Sequence, residues 1–474
     1  MLMSEESRIL PKNKKARLEG VVKAVLEEVK PTKAELEQTK HAINLIMERL
    51  KLVTPKNVEI ILAGSVARGT QVRGNFDIDI FLLFPRSLDE KAMEKKGLEI
   101  AKRVIKNKDE SYSIKYAEHP YTKLTFGKLG VDVEIVPAYK ITDIKDKGTS
   151  VDRTPLHNEF ISSKLSERQR DDVRVLKTFL NSHGIYGAEA RIEGFSGYLC
   201  ELLISHFGSF ASFVCAAADV KLPMAIDALN KKEYASNSKE AKELAGKFNR
   251  PLIVLDPTDP NRNVAANVSD ESLSRLAIAS RALIKAPSKR TFYRTGYSDV
   301  LSKDKIAKIR SNLGLDLHLI SFKLPDMAED ITWQQLKRLN LRLADLLKAN
   351  RFEPMLALQS IDGTDGIIAF FINPGVFKSR IVKGPSVIMG SAYDKFVKSH
   401  GKASLLSLDK ERVYSLEPAK YKTPHELLRS VISNPKDMMP SYIESRTAKV
   451  YLNDIPEQYA KMLYRAYVEK SATS

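Results

Sequence analysis

The stretch Leu62–Phe84, LAGSVARGTQVRGNFDIDIFLLF, constrains this chain more than any other. It opens on the small turn Ala63-Gly64-Ser65 and closes on a strand in which Asp77 and Asp79 alternate with Ile78, Ile80 and Leu82. Side chains on a strand alternate faces, so the two aspartates share one face and the aliphatics the other. Adjacent carboxylates repel and raise one another's pKa unless something neutralises them. A divalent cation does so, and Mg²⁺ prefers carboxylate and phosphate oxygen. Eleven residues separate Ser65 from Asp77. The Gly64-Ser65 pair is small enough for backbone N–H groups to approach a phosphate. A glycine-serine turn followed by a metal-binding Asp-x-Asp strand is what nucleotidyl transfer requires.

A second acidic strand follows. Lys123–Phe126 and Val131–Val136 read as a hairpin around Gly127–Gly130, with Asp132 and Glu134 on the face opposite Val131, Val133 and Ile135. Two-metal catalysis wants three carboxylates, and this strand offers the third.

The chain's 474 residues exceed one core, and its net charge of +17 points to a polyanionic partner such as nucleic acid. Cys200 and Cys215 form no CxxC pair, which indicates a reducing compartment and no zinc site. The opening MLMSEESRILPKNKK lacks an apolar signal core, and the run near Phe207–Ala218 is too short to span a bilayer. We therefore expect a soluble, cytoplasmic protein with no membrane partner. No GxxxxGK[ST] run is present, which excludes a P-loop hydrolase.

Residues 5–30 read as a charged helix. Thr32 and Glu35 form a capping-box pattern ahead of Leu36, Thr39, Ile43, Ile46 and Leu50, and Pro55 closes that helix. Val58–Leu62 reads as a strand and 89–108 as a basic helix. Pro137 and the stretch 140–155 read as a boundary. Beyond it come helices at Ser166–Asn181, 195–218 and within 223–248, a strand at Leu252–Leu255, a turn-rich connector at Asp256–Asn267, and a helix at Asp270–Ile284. Segment 281–310 carries nine basic residues against two acidic, interleaved with Phe292, Tyr293 and Tyr297, a composition suited to gripping RNA. Leu315–Lys323, Thr332–Asn350, Phe352–Ile361 and Gly366–Asn373 follow as strand, helix, strand, strand. That order suggests an α+β sandwich somewhat like the RNA-recognition fold, without its aromatic signature.

The first stretch resembles the signature of the DNA polymerase β nucleotidyltransferase superfamily. YAEHPYTKL, VDRTPLHNEF, VRVLKTFLNSHGIYGAE, GFSGYLCELLISHFGSF and VLDPTDPNRNVAAN extend the resemblance to the archaeal-type, class I CCA-adding enzymes (tRNA nucleotidyltransferases), closely over about residues 35–290. The resemblance implies an α+β multidomain fold: a polymerase β-like head (1–150), a helical neck (151–290) that binds nucleotide and tRNA, and an RRM-like body with an α/β tail (291–474) that holds the acceptor stem and TΨC arm. It implies template-independent addition of C, C and A to the tRNA 3′ end from CTP and ATP, with Mg²⁺, and a homodimer. Asp77 and Asp79 would hold the metal. The third carboxylate falls on Glu134, where the family usually has Asp, and Asp132 two residues earlier is the alternative. Ser65 and Arg68 would contact the triphosphate. His157, Lys177 and Tyr186 would grip triphosphate and sugar, and Arg262, oriented by Asp259, would meet the base edge. The competing readings are a poly(A) polymerase or other terminal nucleotidyltransferase with the same head, and an inactive RNA-binding relative.

Overall fold

The computed structural model describes residues 12–74, 77–116, 120–146, 149, 151–293, 302–325, 327–400, 405–435, 439–440, 443 and 445–470. Two compact units divide the chain, at Thr295/Gly296.

The first unit starts with α1 (Lys12–Val29) and α2 (Lys33–Val53). Thr32 and Glu35 close the expected capping box on α2, whose buried face is Thr39, Ala42, Ile46 and Leu50, with Leu36 left in solvent. β1 (Glu59–Ala63), a five-residue helix α3 (Gly64–Arg68) and β2 (Ile78–Phe84) follow. α4 (Glu90–Lys102) stops six residues short of the expected 89–108. The carboxylate of Glu110 accepts from the backbone N–H groups of Lys106 and Asn107, which turns the chain there. β3 (Glu110–Tyr116), not anticipated, joins β4 (Pro120–Phe126) and β5 (Val131–Tyr139). The sheet order is β1-β2-β5-β4-β3, with β2 and β5 parallel and the other pairs antiparallel. Pro137 is no boundary: it sits inside β5 opposite Leu82, beyond the last residue paired to β4, where its missing N–H costs no ladder bond on that side. Ile46, Leu50, Ile80, Leu82, Ile100 and Val133 belong to the core of this sheet.

A second core in the same unit gathers α5 (Thr154–Lys164), α6 (Glu167–Ser182), α7 (Gly197–Phe207) and α8 (Phe210–Ala218). α1 joins this core through Leu18 and Val25, although it precedes the first sheet in sequence. The expected single helix over 195–218 is two, bent by 95°. Gly208, at φ +80°, ends α7, and Ser209 caps α8. Among the described residues no single helix is long and apolar enough to cross a membrane. The region read as a helical neck also holds a four-stranded sheet: β6 (Met224–Asp227), β7 (Lys232–Tyr234), then α9 (Lys239–Phe248), β8 (Leu252–Asp256) and β9 (Asp259–Asn263), in the order β7-β6-β8-β9. The turn-rich connector is therefore a tight β8–β9 hairpin. β9, DPNRN, is a polar edge strand containing proline, so neither alternation nor propensity betrays it. α10 (Asp270–Lys285) closes the unit. Phe292 is buried against Phe179 and Phe210, which removes it as a base-stacking group; Tyr297 lies outside the described residues.

The second unit runs α11 (Ser302–Leu313), β10 (Asp316–Lys323), α12 (Glu329–Ala349), β11 (Pro354–Asp362) and β12 (Asp365–Ile372). A three-stranded sheet follows, formed by β13 (Ser379–Ser386), β14 (Leu405–Asp409) and β15 (Arg412–Pro418), with α13 (Gly390–His400) between β13 and β14. After α14 (Pro424–Ser433) the chain returns. β16 (Lys449–Leu452) completes the sheet β11-β12-β10-β16, and α15 (Glu457–Lys470) packs on it. The expected tail is thus an insertion in the body. Leu317, Leu319 and Phe371 pack with α11 and α15. The opposite face takes α12, whose Asn340 donates to Gln359, and α14, whose His425 ring lies 6.2 Å from His318. Both faces of this sheet are covered.

Candidate active site

Ala63 and Asp79 are register partners across β1 and β2, so the turn that leaves β1 passes directly over Asp79. Gly64 adopts φ +71°, and a Cβ there would stand 1.7 Å from Asp79 Oδ2. Only glycine permits both the backbone angle and the approach. In the parallel β2–β5 pair Asp79 faces Glu134. Burial pushes Asp79 up to about 6, reinforced by Asp77 and opposed by Arg68 and Lys177. Burial likewise pushes Glu134 up to about 7, with Asp79 and Asp77 adding to it. Asp77 is exposed just ahead of β2. Asp132 has a different setting: it pairs with Lys123 at 2.9 Å and accepts from the Thr125 hydroxyl at 2.8 Å, and these bonds hold it below its ordinary value. Among the described residues no three His, Cys, Asp or Glu side chains converge into a metal-binding group. The donor chemistry nevertheless fits a hard cation. Arg68 and Lys177 near Asp79, and Lys123 and Tyr121 near Glu134, do not offset the desolvation and mutual repulsion of these two facing carboxylates, and Mg²⁺ commonly takes one or two carboxylates and completes its shell with substrate phosphate and water.

Behind the turn lies a buried polar cluster. Arg68, the last residue of α3, points inward, its Nε 2.8 Å from Glu201 Oε2. The Thr70 hydroxyl donates to Glu201 Oε1 at 2.5 Å. Lys177, from α6, donates to the Thr70 carbonyl at 3.0 Å and reaches its hydroxyl at 3.3 Å. Burial lowers the Lys177 pKa and Glu201 opposes that shift. Arg174 donates to the carbonyls of Gly69 and Gln71, so α6 holds three successive carbonyls of the segment after the turn. Gly197 brings Tyr186 and Lys177 together, since a Cβ there would meet the Tyr186 hydroxyl at 3.4 Å and Lys177 Nζ at 3.7 Å. Ser65, beside Gly64, accepts from the Thr70 N–H through its carbonyl. Ser65, Arg68, Lys177 and Tyr186 are thus brought together near Asp79.

His157 and Arg262 converge on a residue the sequence reading missed. Asp256, at the end of β8, is 1% exposed. Its Oδ2 accepts from His157 Nε2 at 2.9 Å and from Arg262 NH1 at 2.8 Å. Its Oδ1 takes the Tyr198 hydroxyl at 3.2 Å and the Thr258 amide and hydroxyl at 2.9 Å. Burial alone would raise this carboxyl, but the bonds from His157, Thr258 and Arg262 hold it well below the usual range. An ionised carboxylate only accepts, so His157 donates from Nε2. Burial lowers His157, which keeps the ring neutral with its lone pair on Nδ1. The His157 ring stacks on Tyr198 at 4.0 Å. The carboxylate paired with Arg262 is that of Asp256, while Asp259, the partner expected from sequence, lies 3.5 Å from Arg153. The next residue on α5, Asn158, comes within 3.5 Å of the Leu62 carbonyl, which sets this cluster beside the Gly64 turn.

Asp256, Tyr198, Thr70 and Glu201 were not singled out from sequence. One signal was available: Glu201 is a lone acid in the apolar run LCELLI, and an acid in a fully buried run must have a partner.

Three family models match in succession. They are a nucleotidyltransferase domain over 42–157, the second domain of tRNA nucleotidyltransferase over 171–293, and the C-terminal domain of CCA-adding enzyme over 314–450. The CCA-adding enzyme of Methanocaldococcus jannaschii is 33% identical over 443 residues, covering 91% of this chain and 95% of that protein. That of Archaeoglobus fulgidus is 32% identical, covering 88% and 90%. That of Thermoplasma volcanium is 33% identical, covering 86% and 88%.

Proposed function

The chain belongs to the archaeal-type, class I CCA-adding enzymes, nucleotidyltransferases of the tRNA 3′ end, and on that premise we propose how its residues divide the reaction. The finer chemistry is attack of the tRNA 3′-hydroxyl on the α-phosphate of CTP, CTP and then ATP, with loss of pyrophosphate. The observation that carries it is the juxtaposition of the Gly64 turn with Asp79 and Glu134.

Asp79 and Glu134, with Asp77 at the strand entrance, are the residues that would hold Mg²⁺. When bound, Mg²⁺ acidifies the attacking hydroxyl and offsets charge on the triphosphate. Glu134 is favoured over Asp132 because it faces Asp79 in register, while Asp132 is engaged with Lys123 and Thr125. Gly64 and Ser65 line the approach to the phosphates. Arg68, Lys177 and Tyr186 supply positive charge and a hydroxyl close to Asp79, where the triphosphate would run. His157 offers a lone pair at Nδ1 to a sugar hydroxyl. Arg262, one edge fixed by Asp256, has its other edge for a base acceptor, and a planar fork is suited to that task. The second unit and the chain's excess of basic residues would hold the acceptor stem and TΨC arm through shape and phosphate contacts.

Incubating tRNA that lacks its 3′ CCA with CTP, with ATP, and with both tests this. We expect two additions with CTP alone, a third only when ATP is also present, and then arrest. Continued growth in ATP would move the chain to the poly(A) polymerases.

A further inference from the structure

Glu201 is a fully buried acid with no part in the chemistry above, yet both of its carboxylate oxygens are engaged by the segment that leaves the catalytic turn. One faces Arg68 Nε and the other accepts from the Thr70 hydroxyl. The direction of the second bond matters. Because Thr70 gives its proton to Glu201, its lone pairs face the Lys177 ammonium, which can only donate. Arg68 Nε is held beside Glu201 by charge, as an ion pair outside hydrogen-bond geometry, which leaves the guanidinium's terminal nitrogens on its far side. One carboxylate therefore sets the orientation of two cations contributed by different elements, α3 and α6.

We propose that Glu201 is a positioning residue that presents Arg68 and Lys177 to the triphosphate of the incoming nucleotide; this rests on the reading of those two residues as triphosphate contacts. Glutamine is the same shape but carries no charge to hold Arg68 and has a single acceptor oxygen where Glu201 meets Arg68 with one oxygen and Thr70 with the other. In Glu201→Gln, either Arg68 or Thr70 confronts an amide N–H. If it is Thr70, the hydroxyl turns its proton toward Lys177 and the ammonium is displaced.

The test compares full-length wild type, Glu201→Gln and Arg68→Ala in steady-state addition of CTP to tRNA lacking CCA and of ATP to tRNA ending in CC, with melting curves alongside. For Glu201→Gln we expect the KM for CTP and for ATP to rise together by about tenfold or more, the magnitude of one misplaced hydrogen bond to a charged group. The KM for tRNA and the CTP:UTP preference should stay as in wild type, because the effect is on the phosphates and not on base or RNA. A residue that only stabilises the core would lower the melting temperature and the active fraction while leaving nucleotide KM unchanged, and that result in folded protein overturns the proposal. If Arg68→Ala raises nucleotide KM and Glu201→Gln does not, the positioning role alone falls. If neither moves it, the triphosphate reading of Arg68 falls, and the proposal with it. Should Glu201→Gln not fold, Glu201→Asp keeps the charge but withdraws it by one methylene. A smaller rise in both KM values supports the role, and wild-type values overturn it.

Discussion

Asp79 and Asp256 are both aspartates of short strands in the first unit, and both are largely withdrawn from solvent, yet their surroundings do opposite things. Asp79 faces another acid, Glu134, and is pushed up to about 6. Asp256 is surrounded by donors from His157, Arg262, Tyr198 and Thr258 and is held well below the usual carboxylate range. At the first site the charges of Arg68, Lys177 and Lys123 do not outweigh desolvation and repulsion, which is the condition of a site completed by a ligand. The second is already complete and works as a scaffold, fixing the groups around it. The difference shows that burial by itself does not mark a carboxylate as functional or structural. What decides is whether the protein itself supplies the partners.

Asp79→Ala should have the largest effect. We expect CCA addition in Mg²⁺ to fall by about a thousandfold or more while tRNA binding persists, since a group holding the metal has no substitute. The melting temperature should hold or rise, because a desolvated, repelled acid has been removed. A quench-flow or gel assay beside a melting curve checks both, and an active Asp79→Ala enzyme would contradict the assignment.

Asp256→Ala should behave in the reverse sense. Removing the acceptor leaves His157, Tyr198 and one edge of Arg262 without their partner, at a cost of about 3 kcal/mol in folding stability. Urea unfolding measures it, and a loss under about 1 kcal/mol would mean that Asp256 is not the scaffold described.

Arg262→Ala probes what the scaffold is for. The expected loss is ~1–3 kcal/mol of base discrimination, roughly ten- to a hundredfold in the preference for CTP over UTP. Slower incorporation of all four nucleotides in equal proportion would instead leave Arg262 as a strut of the β8–β9 hairpin.

The smallest effect is on pH dependence. The folded-state pKa values of Asp79 and Glu134 lie above ordinary carboxyl values, so in metal-free protein their contribution is fully present below about pH 4 and is lost as pH rises through about 6 and 7. Relative to Asp79→Asn, metal-free wild type should therefore lose roughly 2–4 °C in melting temperature between pH 5 and 8, the shift of about 1 kcal/mol in a domain of this size. Adding Mg²⁺ at pH 8 should restore it. A pH-independent difference would show that desolvation and repulsion do not raise these carboxyls in the folded protein.

Much of the first site was legible in advance because its constraints are local. Gly64, Ser65, Asp77 and Asp79 fall in one stretch, and two strands with alternating acids predict two acidic faces. The second site was harder to read. His157 and Arg262 are carried by resemblance, and spacing alone offers Asp259, three residues from Arg262, as the arginine's partner, because DPTDPNRN reads as a turn-rich connector. Once β8 and β9 pair, Asp256 lies against Arg262. The 95° break between α7 and α8 is masked by a mostly apolar run, in which Gly208 and Ser209 are the markers.

Family membership, the glycine-serine turn, the acidic strands and most of the helices are legible in the sequence, because these depend on spacing along a few residues. Only the tertiary structure decided which of Asp132 and Glu134 faces Asp79, that α1 belongs to the second core, that the last strand completes the second unit's main sheet, and that Glu201 and Asp256 each gather side chains from distant elements. Those outcomes depend on strand register and on the desolvation of charged groups. Both are set by contacts between residues far apart in the chain, and sequence spacing carries no record of them.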